Sequence, residues 1–302
     1  MSDNSMYTGV KVINTTKELI DQIYINKELD ISLLDGRYKL QENQNQYVIL
    51  NNKVYDEQHN EIYAGSASII TKVKNNKLVK INIDKTKTIS GVNPRNKEQA
   101  MAFDALLDEE IKVVTLTGNA GCGKTLVTLS AALHLMDKGA YDRIILTRQM
   151  YQVGKIDLGI LPGEIESRFG PYLKNYMCNF EHLLGSRRST QDLIAYYNIE
   201  FLPFQLIRGA SWPNTIIIAD EFQNADIHEL LTLGTRVGDN SKIVVMGDLS
   251  QRDTKITKEK TGMFYWVNHN KVKSSELTAS IHLLKNERSL VSKLFSEVLT
   301  DI

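Results

Sequence analysis

Val113-Val114-Thr115-Leu116-Thr117-Gly118-Asn119-Ala120-Gly121-Cys122-Gly123-Lys124-Thr125 passes from an apolar, β-branched run into a glycine-rich one, and then into a segment of helical spacing. Its second half satisfies G-x-x-x-x-G-K-[ST]. Strand, loop, helix is the order that the chemistry of this pattern requires. The glycines let backbone N–H groups wrap phosphate oxygens, and the helix N-terminus adds the positive end of its dipole. Lys124 is placed to reach the terminal phosphates, and the Thr125 hydroxyl to hold Mg²⁺. Gly118, Asn119, Ala120, Gly121, Cys122, Gly123, Lys124 and Thr125 are therefore candidate nucleotide-binding residues, with ATP and Mg²⁺ as the implied cofactors.

Outward from the loop, helices alternate with short buried strands from Lys97 onward, the rhythm of a mostly parallel sheet covered on both faces. The sequence predicts core strands at Lys112 to Thr117, Arg143 to Thr147, Ile216 to Ala219 and Lys242 to Met246. Leu126, Leu129, Leu133 and Met136 mark the apolar face of the helix after the loop. Leu290, Val291, Leu294, Phe295, Val298 and Leu299 mark that of a terminal helix.

The run Ile216-Ile217-Ile218-Ala219 delivers Asp220-Glu221 to the carboxyl end of its strand, where ligands bind in open α/β sheets. Asp220 is placed to hold the Mg²⁺ shell, and Glu221 to orient and deprotonate the water that attacks the γ-phosphate. Lys242 to Met246 leads into Gly247-Asp248-Leu249-Ser250-Gln251. The Gln251 amide can donate to a phosphate oxygen and accept from water, which suits a sensor of intact ATP, although Gly-Asp also makes an ordinary turn. His228-Glu229-Leu230-Leu231-Thr232 begins like a zinc-protease motif but carries Thr232 where the second ligand belongs.

The chain has 302 residues, with 36 Lys plus Arg against 36 Asp plus Glu, so any charged surface is local. Cys122 and Cys178 are too few for a disulfide framework and point to a reducing cytosol. Neither a signal sequence nor a membrane-spanning run is legible, and a cytoplasmic location without membrane association is expected.

Residues 1–90 alternate short apolar runs with turn residues at Val10 to Ile13, Tyr47 to Leu50, Ser68 to Thr71 and Leu78 to Ile81, the pattern of a small strand-rich domain. Within it, Lys72, Lys74, Lys77, Lys80, Lys85 and Lys87 are opposed only by Asp84. That run suits a phosphate backbone; it equally suits a solvated hairpin edge, where lysine discourages edge pairing.

Together, Gly118 to Thr125, Asp220-Glu221-Phe222-Gln223-Asn224 and Gly247 to Gln251 resemble the PhoH family of P-loop ATPases. So do Asn93 to Gln99, Gly159 to Gly163, Ile207-Arg208-Gly209, Thr235 to Gly238 and Glu287-Arg288-Ser289. The resemblance covers residues from about 91 to 300, within an ATPase domain expected over 91–302. It implies an α/β fold, a RecA-like P-loop core with a mostly parallel sheet, preceded here by the small strand-rich domain. Residues before about 88 are similar to the segment that follows a nuclease domain in the longer branch of the family. No such domain precedes them here, so no nuclease activity is expected.

By the same resemblance Gln99 is an adenine-side contact, Gln251 the γ-phosphate sensor, and Arg288 a cation for the transition state, supplied in cis or by a neighbouring subunit. Cys122 stands where the family usually has Thr, and Phe222 where it has Ala. The implied activity is Mg²⁺-dependent ATP hydrolysis acting on single-stranded nucleic acid, RNA above all. One core per chain implies a homo-oligomeric ring, such as a hexamer, to complete the site. An ATP-dependent switch binding a protein partner is the alternative. A small-molecule kinase is disfavoured, because Glu221 and Gln251 are suited to water.

Overall fold

The computed structural model describes residues 10–15, 17–34, 43–55, 61–149, 165–184, 189–207, 209–251 and 257–287, together with Val291 and Val298. Its first sheet contains β1 (Val10–Thr15), β2 (Glu28–Asp30), β3 (Tyr47–Tyr55), β4 (Glu61–Lys74) and β5 (Lys77–Lys80), in the order β1-β3-β4-β5-β2. All four strands expected from the alternating runs are present. Asn75 and Asn76, with φ of 50° and 58°, turn β4 into β5 as a tight hairpin requires. Between β1 and β2 lies α1 (Lys17–Asn26), which puts Ile20 and Ile23 into a small core with Val48, Leu50, Ile69 and Leu78.

The second sheet contains β6 (Val113–Gly118), β7 (Arg143–Arg148), β8 (Ile199–Pro203), β9 (Thr215–Asp220), β10 (Lys242–Gly247) and β11 (Thr278–Leu283). Its order is β11-β6-β10-β9-β7-β8 and every pairing is parallel. Parallel neighbours need crossovers, and helices supply them. α2 (Lys97–Leu107) leads into β6, and the connections between strands carry α3 (Lys124–Asp137), α4 (Ile165–Leu184) with α5 (Thr190–Tyr196), α6 (Ile227–Gly234) and α7 (Gly262–Asn268). Side chains alternate between two cores. Leu116, Ile216, Ile218, Val244 and Met246 face one, with α2 and α3; Ile217, Ala219, Ile243 and Val245 face the other, with Phe222 and Leu233. This is the doubly covered α/β core that the rhythm predicted.

β8 and β11 were not foreseen. Both are edge strands, and their sequences, Ile-Glu-Phe-Leu-Pro and Thr-Ala-Ser-Ile-His-Leu, lack the continuous apolar run of a central parallel strand. The expected terminal helix lies outside the described residues apart from Val291 and Val298, which are exposed.

The lysine run does not form one free basic strip. Lys72 is buried and its ammonium lies 2.9 Å from Asp104 and 2.7 Å from Asp108, on and just after α2. Lys74 pairs with Glu110, and Lys77 with Glu28 at 2.6 Å. These carboxylates are remote in sequence, so no local charge count could find them. Tyr47 adds a hydrogen bond to Asp104 at 2.8 Å, and Asn45 donates to the carbonyls of Glu276 and Thr278. The first sheet is thereby fastened to α2 and the edge strand β11. Tyr47, Ile81, Ile83 and Ile89 are buried in the core of the second sheet, so packing continues upstream of the boundary expected at residue 90.

Candidate functional site

At the carboxyl end of β6 the chain turns at Gly118, whose φ is +146°, and a Cβ there would stand 2.2 Å from the Leu283 carbonyl oxygen. Only glycine fits between the loop and β11. Gly123, in the left-handed region at φ +91°, opens α3, and a Cβ on it would stand 2.9 Å from Gln99 Nε2. Lys124 Nζ donates to Gly118 O at 2.7 Å and Asn119 O at 3.1 Å, so the ammonium lies folded over the loop's own carbonyls. Cys122 is buried, and burial pushes its thiol up, the opposite of a reactive cysteine.

Gln99 does not present a free amide to a base. Its Nε2 donates to Cys122 O at 3.0 Å and its Oε1 accepts the Arg95 N–H at 2.8 Å, so it buttresses the loop from α2. It stands in the wall of the cavity, with its hydrogen bonds made to the protein.

Residues of β9 alternate in their side, and Asp220 falls on the same face as Ile216 and Ile218, toward α3. The structure brings Thr125 Oγ1 to 3.4 Å from Asp220 Oδ2. Asp220 Oδ2 also accepts from the Tyr176 hydroxyl at 3.3 Å, and Oδ1 from the Glu221 N–H at 2.9 Å. Burial first, and the neighbouring Glu221 charge second, push the Asp220 carboxyl up. A hydroxyl and a buried carboxylate are hard oxygen donors in the arrangement that suits Mg²⁺ held mainly through phosphates. Among the described residues no cluster of His, Cys, Asp and Glu forms a metal site by itself.

Glu221 leaves the strand in the left-handed region, with φ 54° and ψ 36°, a conformation uncommon for a residue with a Cβ. Its carboxylate accepts from Gln223 Nε2 at 2.7 Å and stands 3.9 Å from the Arg148 guanidinium. Phe222, the departure from the family pattern, is buried in the second core and meets Phe204 edge to face, with ring centroids 5.4 Å apart. It anchors the turn without touching the carboxylates' chemistry.

From the neighbouring strand β10, Asp248 donates its N–H to Gln223 Oε1 at 3.1 Å, and the Gln251 carbonyl accepts from Gln223 Nε2 at 3.2 Å. Gln251 is exposed at the mouth. Lys124, Thr125, Asp220, Glu221 and Gln251 line one cavity of about 360 Å³. Arg288 lies outside the described residues. Its chain neighbour Glu287 lines the cavity, donates its N–H to Gly121 O at 3.0 Å and accepts from Asn96 Nδ2 at 2.8 Å. Sequence reasoning quoted Gln223 and Glu287 without giving them roles, and missed Tyr176; nothing local marks that tyrosine. The zinc-protease look-alike is structural: Glu229 and Asp226 form the capping box of α6.

The PhoH family, described as PhoH-like protein, matches residues 91–300. PhoH2 of Bacillus subtilis is 32% identical over 99% of this chain and 66% of its own length. PhoH2 of Mycolicibacterium smegmatis is 33% identical over 71% of this chain and 48% of its own length. Escherichia coli PhoH is 33% identical over 54% of this chain and 46% of its own length. The chain thus spans from about half to about two thirds of the length of these relatives. Among solved structures, Pif1 helicase from Candida albicans is similar at a TM-score of 0.36 and 18% identity, covering 70% of this chain and 44% of that one.

Proposed function

The chain belongs to the PhoH family, and from that premise we propose that it is an Mg²⁺-dependent ATPase that acts on single-stranded nucleic acid, RNA above all, in the cytoplasm. The observation that carries the hydrolytic reading is the left-handed turn at Glu221, which aims a carboxylate, held by Gln223, into the cavity that the phosphate loop opens.

Lys124 exchanges its loop carbonyls for the terminal phosphates, an exchange of neutral acceptors for charged ones that favours the bound state. Thr125 and Asp220 would hold Mg²⁺, which would supply neutralisation of phosphate charge. Tyr176 fixes the Asp220 carboxylate at Oδ2, the oxygen that the Glu221 N–H leaves free. Glu221 orients a water on the γ-phosphate and takes its proton. Gln251, at the mouth, registers whether the γ-phosphate is present. Arg288 supplies transition-state charge, from a neighbouring subunit of a ring if the site is completed in trans.

The test is ATP hydrolysis with and without single-stranded RNA and DNA. Stimulation by RNA is the expected result; hydrolysis indifferent to either polymer would leave the protein-bound switch as the better reading. Phosphate release without an added acceptor excludes a kinase.

A further inference from the structure

Arg148 ends β7 and stands in register with Asp220 on the neighbouring strand β9, so a cation is delivered beside the turn that carries Glu221. Its guanidinium lies 3.9 Å from Glu221 Oε1, while Oε2 accepts from Gln223 Nε2 at 2.7 Å. The two contacts differ in kind. Gln223 is a neutral donor at full hydrogen-bond contact, whereas 3.9 Å is a pairing of charges beyond hydrogen-bond length. Between them both oxygens of the carboxylate are engaged. A general base must turn an oxygen toward the water it deprotonates, and Oε1, the one not held by the amide, faces the cation instead. The same charge reaches the rest of the corner: burial raises the Asp220 carboxyl and the Tyr176 phenol, and Arg148 acts against it at both.

Arg148 approaches from the side away from the nucleotide. In the sheet order β6-β10-β9-β7, the phosphate loop leaves β6 and Arg148 ends β7, with the strand of Glu221 between them. At about 4.8 Å per strand, roughly 14 Å of sheet separates the two ends. Glu221 lines the cavity of the phosphate loop together with Lys124 and Thr125, and Arg148 is not among the residues that line it. The Arg148 side chain is 29% exposed, so a ligand can reach the guanidinium without entering that cavity. A planar fork of N–H donors matches the paired oxygens of a phosphate, and two charge-assisted hydrogen bonds to a phosphodiester outcompete a carboxylate that stands 3.9 Å away.

Resting on the function proposed above, we infer that Arg148 is a positioning residue that couples the polymer to hydrolysis: paired with Glu221 it withholds Oε1 from the attacking water, and a backbone phosphate of single-stranded nucleic acid that takes the guanidinium releases it. Gln223 keeps its hold on Oε2 throughout, so the freed carboxylate stays aimed.

The test measures ATP hydrolysis by the full chain with and without oligouridylate, and oligouridylate binding at several salt concentrations. Arg148→Gln should raise hydrolysis in the absence of polymer about fivefold or more, the lower end of coupling between two sites, and leave less than a roughly twofold further stimulation. Affinity for a fluorescent ATP analogue should not change, and the log–log salt slope for oligouridylate should fall by about 0.7, one phosphate contact. Arg148→Lys, which keeps the charge, should raise the unstimulated rate less than Arg148→Gln does. Glu221→Gln combined with Arg148→Gln should be as inactive as Glu221→Gln alone, because the gain passes through Glu221. A lower unstimulated rate in Arg148→Gln would assign the guanidinium to the γ-phosphate or to aiming Glu221, and overturns the inference. Full stimulation of that variant by oligouridylate, an unchanged salt slope, or an equal rise in the Lys and Gln variants overturns it too, and each leaves the proposed function standing. Wild-type protein stimulated by neither oligouridylate nor oligothymidylate overturns both.

Discussion

The Gln223 side-chain nitrogen donates to Glu221 Oε2 at 2.7 Å and to the Gln251 carbonyl at 3.2 Å, so one planar amide ties the carboxylate on β9 to the chain leaving β10. Its oxygen is also committed, to the Asp248 N–H. Gln223→Ala should therefore let Glu221 drift and lower kcat on the order of 10²-fold, with nucleotide affinity little changed. Steady-state kinetics alongside binding of a fluorescent ATP analogue would check the split; a fall in affinity matching the fall in kcat would place Gln223 on the ground state instead.

Glu221→Gln should retain MgATP and nearly stop hydrolysis, because the amide cannot take the proton while Lys124, Thr125 and Asp220 remain. Lys124→Ala should weaken binding itself. Equal loss of affinity in both variants would contradict this division of roles.

Gly118→Ala adds a methyl group 2.2 Å from a backbone oxygen that cannot move without β11. The expected result is a loss of nucleotide binding and destabilisation of about 2 kcal/mol or more, read as a lower urea midpoint at unchanged m.

Removing Lys72 leaves Asp104 and Asp108 facing each other at the junction between the sheets. Lys72→Met should cost about 3 kcal/mol, and combining it with Asp104→Asn and Asp108→Asn should recover much of that loss. Failure of the triple variant to recover would mean that Lys72 acts through its packing.

A pH dependence follows from Lys242, whose buried ammonium donates to the carbonyls of Leu106 at 2.9 Å and Asp108 at 2.7 Å, closing the carboxyl end of α2. Burial pushes Lys242 down to about 7 from 10.5. Between these values the unfolded chain binds the extra proton, so stability rises with pH by up to about 1.4 kcal/mol per unit. Above pH 10 the trend reverses, because burial raises Tyr47 and Tyr176 and their phenols stay protonated only in the folded chain. Unfolding midpoints from pH 7 to 11 should show the rise and fall, and Lys242→Met should flatten the rise.

What could be read from sequence was what is contiguous. The phosphate loop, Asp220-Glu221 and the central strands each lie within a few residues, and their spacing carries the physics. Relationships that cross the fold could not be read. Tyr176 reaches Asp220 from α4, Lys72 finds its carboxylates on α2, and β11 crowds Gly118 from the end of the described chain. The lysine run shows the limit clearly: its one-sided charge is true of the segment and false of the folded surface at Lys72, Lys74 and Lys77.

Helix α2 meets the phosphate loop at one end, through Gln99 and Cys122, and the first sheet at the other, through Asp104 and Lys72. Thermodynamic linkage makes that strut symmetrical. Whatever free energy the clasp at Asp104 contributes to the nucleotide-holding form of the loop, bound nucleotide returns in full to the clasp, so the affinity of the one and the persistence of the other are a single reciprocal quantity.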